Sequence, residues 1–157
     1  MVGLLNLEHL GWCKYFSDQI DLKKEDDLYP VRVIAIHKGE CNVSDGNIIH
    51  SAKMTGRLRH YADSRLDYPT VGDWVLVKSF NQGEFSRIQR VLGRQTVLKR
   101  KTSGRTSNEQ LIASNIDNAL IIQSVDKSFN LNRIERYLVM VNESMIKPIL
   151  ILTKIDL

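Results

Sequence analysis

The sequence predicts two architectures in series: a small closed β-barrel, then an α/β segment built as strand, helix, strand. Three patterns predict this. Between Tyr29 and Val91, apolar residues recur with a period of two and are broken by turn residues, the signature of short half-buried strands. Between Asn130 and Met145 the spacing becomes three to four, that of an amphipathic helix. Ile149–Leu152 is an aliphatic run without alternation, opened by Pro148 and ended by Thr153-Lys154-Ile155-Asp156, which suits a strand buried on both faces of a parallel sheet.

Composition bounds the problem. A chain of 157 residues with 43% hydrophobic and 25% charged residues is long enough for one ordinary domain or two small ones. No apolar run approaches the roughly 20 residues of a membrane span. Met1–Gly11 has neither the basic start nor the small-residue cleavage site of a signal peptide. Cys13 and Cys41 have no close Cys or His partners at zinc spacing and make no disulfide framework, so a reducing cytoplasm and no membrane partner are expected.

Taken in order, Asn6–Gln19 carries Leu7, Leu10, Trp12, Tyr15 and Phe16, a short arm whose aromatics pack on a neighbouring domain. From Tyr29, Val31, Val33 and Ala35 alternate with Arg32, Ile34 and Ile36, and Lys38-Gly39 turns the chain. Glu40–Ser44 answers as a second strand, Asp45-Gly46 signals a hairpin, and Asn47–Ala52 returns. Thr55–Arg59 follows, Asp67-Tyr68-Pro69 is loop chemistry, and Val71–Val77 and Phe85–Val91 are strands turned at Gly83. Trp74 lies in the core. About five short strands are too few for a sandwich and enough for a five-stranded OB-type barrel.

Lys101–Ser107 is polar and reads as a linker, and Thr106-x-x-Glu109 has the form of a capping box for a short helix over Gln110–Ala113. Asn118–Val125 is a buried strand. Leu131, Ile134, Leu138, Val141 and Met145 form the apolar stripe of a helix capped by Asn130 or Asn132. With the final strand it makes a βαβ unit, whose crossover is expected to be right-handed.

Charge points to RNA. Lys53, Arg57, Arg59, His60 and Arg65 lie in and after one hairpin, and Arg87, Arg90, Arg94, Lys99, Arg100, Lys101 and Arg105 follow with no acidic residue until Glu109. Phosphate neutralisation is the usual reason for such a run; a solvated surface whose acids lie elsewhere is the alternative. Tyr61, Tyr68 and Phe80 are either base-stacking residues or packing residues.

Thr153, Lys154 and Asp156 sit at the carboxyl end of the last strand, where ligands of parallel sheets bind. The Asp156 carboxylate can accept two parallel hydrogen bonds, matching N1–H and N2–H of guanine. Adenine has no such pair and would leave a buried acceptor unsatisfied, at about 1–3 kcal/mol. The Lys154 stem can lie along base and ribose while its ammonium reaches loop carbonyls.

These features resemble the circularly permuted GTPases of ribosome assembly, and most closely the bacterial ribosome small-subunit-dependent GTPase A family. The likeness is carried by Leu10-Gly11-Trp12, by Asp67-Tyr68-Pro69-Thr70-Val71-Gly72-Asp73-Trp74-Val75, and by Glu109-Gln110-Leu111-Ile112-Ala113-x-Asn115-Ile116-Asp117. Phe129-Asn130-Leu131-x-Arg133-Ile134-Glu135-Arg136-Tyr137-Leu138 and Leu152-Thr153-Lys154-Ile155-Asp156-Leu157 complete it. Thr153 stands where the guanine motif Asn-Lys-x-Asp has Asn. The resemblance implies an arm (1–28), an OB-fold RNA-binding domain (29–98), a basic linker with a short helix (99–117), and the start of a circularly permuted P-loop GTPase domain (118–157).

The resemblance further implies a GTP hydrolase of late small-subunit maturation, using GTP or GDP with Mg²⁺, with the small ribosomal subunit and its rRNA as partners and a zinc site in a later domain. In this family the guanine motif precedes the phosphate loop. No Gly-x-x-x-x-Gly-Lys-Ser/Thr loop, Asp-x-x-Gly metal segment or zinc cluster occurs in the 157 residues, so the chain alone is expected not to hydrolyse GTP. A catalytically inactive rRNA-binding OB module is the alternative, and an OB protein with general single-strand affinity is a third reading. A two-stranded βαβ unit cannot cover its own apolar faces, so Ile121, Ile122, Ile149 and Ile151 are expected to need partners. Self-association, disorder of the C-terminal part, or packing against the barrel would each supply an answer.

Overall fold

A computed structural model describes residues 7–21, 23, 25–80, 85–101 and 109–156. The chain divides into two compact units, Met1–Arg94 and Gln95–Leu157.

Alternation builds the first unit. Strands β1 (Tyr29–His37), β2 (Glu40–Ser44), β3 (Ile49–Met54), β4 (Trp74–Phe80) and β5 (Phe85–Val91) close a barrel in the order β1-β2-β3-β5-β4. Every pairing is antiparallel except β3 with β5. This is the OB-type barrel that the strand count predicts. Val31, Val33, Cys41, Val43, Ala52, Val75, Val77 and Ile88 fill its interior. A register shift between Val33 and Ala35 interrupts the alternation of β1 against β2. At Asp45-Gly46 the Asp45 carboxylate accepts from the amides of Asn47 and Ile48 at 2.8 and 2.9 Å, with Gly46 at φ 92°.

Thr55–Arg59 forms no strand. Gly56–His60 is a one-turn helix, α2, following the arm's short helix α1 (Lys14–Ser17), and Thr55 caps it by accepting from the Leu58 amide. β4 starts at Trp74, later than the expected Val71, because Gly72 at φ 91° and the Asp73 turn precede it. Its first four residues are all buried, since the arm covers its outer face. Val75 and Val77 point into the barrel, whereas Trp74 and Leu76 pack outside it against Leu7, Trp12, Phe16 and Leu92. Trp74 is thus core, but core between arm and barrel. The Trp12 ring meets it edge-on with centroids 4.7 Å apart.

Asp73 is fully buried and holds the loop before β4 in place. Its carboxylate accepts the Thr70 amide at 2.8 Å and a two-pronged grip from Arg94, with Nε and Nη2 each at 2.7 Å. Arg94 also donates to the carbonyls of Leu66 and Tyr68, at 2.6 and 2.9 Å.

The second unit starts with an antiparallel hairpin of β6 (Val97–Lys101) and β7 (Glu109–Ser114). The short helix expected over Gln110–Ala113 is corrected by this pairing. Glu109–Ser114 alternates in burial and finds β6 as an antiparallel partner, with ladder hydrogen bonds that a helix over the same residues would forgo. Lys99 and Arg100 lie on β6, not in a linker, and Thr106 lies outside the described residues. Strands β8 (Asn118–Ser124) and β9 (Lys147–Thr153) pair in parallel around helix α3 (Leu131–Glu143), the expected βαβ unit. Asn130 is the cap, accepting from the Arg133 amide at 3.0 Å.

Helix α3 ends before the apolar stripe does. Met145 turns into the left-handed region at φ 55°, and the amides of Met145 and Ile146 return to the carbonyls of Asn142 and Val141. Met145 is therefore 84% exposed, while Ile134 and Val141 are buried. Leu98, Ile121, Val141 and Ile146 form the core of this unit. Ile121 needs no outside partner, since α3 covers its face. The opposite face, with Leu120 and Ile122 of β8 beside Ile149 and Ile151 of β9, is bare, and Leu120 and Ile122 are 59% and 63% exposed.

Candidate functional site

Parallel pairing brings the carboxyl ends of β8 and β9 side by side, and the Val125 amide donates to the Thr153 carbonyl at 2.9 Å. The chain then reverses through Lys154 at φ 56°. A non-glycine residue held there stores local strain of the kind that gathers at binding sites. Thr153 is half-buried, and Lys154, Ile155 and Asp156 are exposed.

The Lys154 ammonium does not reach loop carbonyls. It donates to Asp126 Oδ2 at 2.9 Å, tying the end of β9 to the turn after β8. Asp126 Oδ1 accepts the Ser128 amide at 2.8 Å and the Ser128 hydroxyl at 2.6 Å. The Ser128 hydroxyl, followed by Lys154, holds the Asp126 carboxyl well below its ordinary range, so it stays an anion. Gln123, buried beneath, donates to the carbonyls of Ser124 and Ser128 at 3.0 and 3.4 Å.

Asp126 and Ser128 are the residues that motif reading missed. Asp126-Lys127-Ser128 is nevertheless an Asx-turn pattern at the carboxyl end of a buried strand, which would have flagged them. Asp156, two residues beyond Lys154, is exposed, and the Lys154 ammonium is paired with Asp126.

The predicted RNA-contacting residues fall into three settings. Lys53 on β3 and Arg87 on β5 are direct register partners on the outside of the barrel, and Arg57 and Arg59 are exposed on α2. Arg90 and Arg94 are committed within their own unit. Arg90 pairs with Glu25 at 3.1 Å and donates to the Gln19 carbonyl at 2.6 Å, and Arg94 holds Asp73. In the second unit, Lys99 pairs with Glu109 at 2.8 Å, Arg100 donates to Gln110 Oε1 at 3.1 Å, and Lys101 is exposed at the end of β6. Arg105 lies outside the described residues. Acids remote in sequence thus answer Arg90 and Arg94, and Glu109 on the facing strand answers Lys99.

Among the described residues, no group of three or more His, Cys, Asp or Glu side chains could hold a metal ion. No described helix is long and apolar enough to cross a membrane.

Residues 91–157 match the family model described as RsgA GTPase. The chain is 34% identical over 161 residues to the small ribosomal subunit biogenesis GTPase RsgA of Opitutus terrae, covering 98% of this chain and 44% of that protein. It is 36% identical over 152 residues to RsgA 1 of Bacteroides thetaiotaomicron, covering 97% and 42%. The chain thus spans less than half the length of these curated relatives. Two crystal structures share the fold. YloQ, a circularly permuted GTPase, superposes with a TM-score of 0.58 at 24% identity, over 84% of this chain and 42% of that one. YjeQ from Thermotoga maritima gives 0.60 at 18% identity, over 82% and 42%.

Proposed function

We propose that the chain, whose residues 91–157 match the RsgA GTPase model and which is 34–36% identical to part of curated RsgA proteins, belongs to that family and acts in late maturation of the small ribosomal subunit in the cytoplasm. Its barrel binds rRNA, and its Thr153-Lys154-Ile155-Asp156 turn binds the guanine of GTP or GDP. The observation that carries this reading is the strained Lys154 turn, anchored to Asp126 at the carboxyl end of a parallel βαβ unit. Asp156 accepts the two N–H donors of the base, and Lys154, steered by Asp126, packs along it. Among the described residues no three His, Cys, Asp or Glu side chains gather to hold a metal ion, and no step is assigned to one.

Recognition of the base is testable by titration. GDP binds weakly and in preference to ADP, and Asp156→Ala abolishes the preference. Asp126→Ala weakens GDP binding without changing the melting temperature, because the ion pair is exposed. Equal binding of ADP and GDP by the unaltered chain overturns the guanine assignment. Co-sedimentation with separated ribosomal subunits tests the RNA half of the reading. Selective pelleting with the small subunit, weakened by salt, is expected, and no pelleting at low salt overturns it.

A second reading rests on the closed barrel and its exposed Lys53, Arg57, Arg59 and Arg87: these 157 residues act as an rRNA-binding module without turnover of their own. Phosphate release from GTP by the purified chain, with or without small subunits, overturns that. The bare face of Leu120, Ile122, Ile149 and Ile151 also gives copies of the chain a surface for self-association, measurable by sedimentation velocity.

A further inference from the structure

The outer face of β3, β5 and β4 carries an arrangement that barrel stability alone opposes. Lys53 on β3 lies directly opposite Arg87 on β5, which lies directly opposite Lys78 on β4. Like charges across neighbouring strands repel, yet three cations form one row. One register step along, Phe85 of β5 is paired with Phe80 of β4 and, on its other side, with Ser51 of β3. Alternation puts all of these on the outside, since Ala52, Val77, Ser86 and Ile88 are the buried residues of the same strands.

The cations are coupled to the rings. The Arg87 guanidinium lies 5.5 Å from the Phe80 centroid, and the Lys53 ammonium 5.8 Å from that of Phe85. Phe80 is 40% exposed at the end of β4. Lys53 and Lys78 are partly neutralised by Glu40 and Asp27, in exposed pairs that a stronger anion displaces at little cost. Among the described residues, no carboxylate pairs with Arg87.

We propose that this face is a stacking site for unpaired RNA nucleotides: bases lie on Phe80 and Phe85, and the backbone phosphates run along Lys53, Arg87 and Lys78. Two apolar rings framed by cations match a ligand that is at once polyanionic and flat-faced, and single-stranded RNA is both. A duplex hides its base faces and offers phosphate alone. An acidic protein segment would use the cations and leave the rings unused. This inference rests on the reading that the barrel binds RNA and narrows it to single strands held by stacking.

The test is fluorescence titration of the whole chain with a short oligoadenylate, with a duplex of equal length, and with polyglutamate. The oligoadenylate binds at least tenfold tighter than the other two. Phe80→Leu and Phe85→Leu each lower its affinity by about tenfold and leave the salt slope unchanged. Arg87→Ala lowers the slope by about one unit. Phe80→Trp keeps the affinity and adds an exposed fluorophore that the oligoadenylate quenches and polyglutamate does not, so the site remains testable if a leucine variant misfolds. Equal binding of single strand and duplex, with no effect of the phenylalanine variants, overturns the stacking site while the RNA reading stands. Tighter binding of polyglutamate overturns it in favour of an acidic protein partner. No RNA binding of any kind overturns both.

Discussion

The two units solve the problem of covering a sheet in opposite ways. The barrel closes on itself, and the outer face of β4, apolar at Trp74 and Leu76, is roofed by the arm through Trp12 and Phe16. The βαβ unit has one helix for two faces, so it buries Ile121 and leaves Leu120 and Ile122 in solvent. Among the described residues the first unit exposes small apolar groups, such as Ile34 and Ile36 on β1, whereas on the second Leu120 and Ile122 continue into Ile149 and Ile151 across two strands. A closed sheet has little left to bury; an open one is still waiting for a neighbour.

The sharpest way to break this contrast is at the buried ion pair of the barrel. Asp73→Ala leaves the mostly buried Arg94 guanidinium without its carboxylate and is expected to cost about 3–5 kcal/mol. Trp12 and Trp74 both lie in the first unit, so the tryptophan-fluorescence transition in urea shifts to lower denaturant. The second unit's α3 provides a separate helical signal in circular dichroism.

The next effect separates the faces of one strand. Ile121→Ala removes a core residue and costs about 2–5 kcal/mol. Its neighbour Ile122→Ala stays within about 0.5 kcal/mol and reduces self-association in sedimentation velocity. Equal losses of stability would mean that the bare face is covered in solution.

The smallest effect is a pH dependence confined to the barrel. His50 is buried, its Nε2 lies 2.9 Å from the Ser86 hydroxyl, and its Nδ1 has no hydrogen-bond partner. Burial pushes its pKa below the ordinary 6.5, against a smaller upward pull from Asp45. The unfolded chain therefore takes up a proton that the folded barrel refuses. Stability is full above about pH 6.5 and falls as pH drops from there through the lowered folded-state value. Urea midpoints at pH 7.5 and 5.5 should differ more for the parent chain than for His50→Gln.

Legibility followed the reach of the forces involved. Strands set by alternation, the Asp45-Gly46 turn and the Asn130 cap depend on residues a few positions apart, and all were readable. The hairpin of β6 with β7 was not, because a capping-box pattern competes locally with a pairing that only the folded unit supplies. The fates of Arg90 and Arg94 were hidden for the same reason: Glu25 and Asp73 lie 65 and 21 residues away. At the nucleotide turn, Thr153, Lys154 and Asp156 announce themselves as a motif. Asp126 sits in a legible Asx-turn, but its tie to Lys154, 28 residues on, exists only once parallel pairing brings the two turns together.

The roof over β4 also sets an order of events. The arm is made before the strands it covers, and its anchors lie near the end of the unit: Gln19 Oε1 accepts the amide of Gly93, 74 residues later, and the Tyr15 hydroxyl donates to the carbonyl of Arg94, 79 residues later. Tyr29 likewise meets Ser86 only after 57 residues. The arm's aromatics thus find shelter only once the far end of the unit is made, and loop closure of that span makes folding slow relative to the local βαβ unit. During synthesis, the arm is the segment that a chaperone would meet.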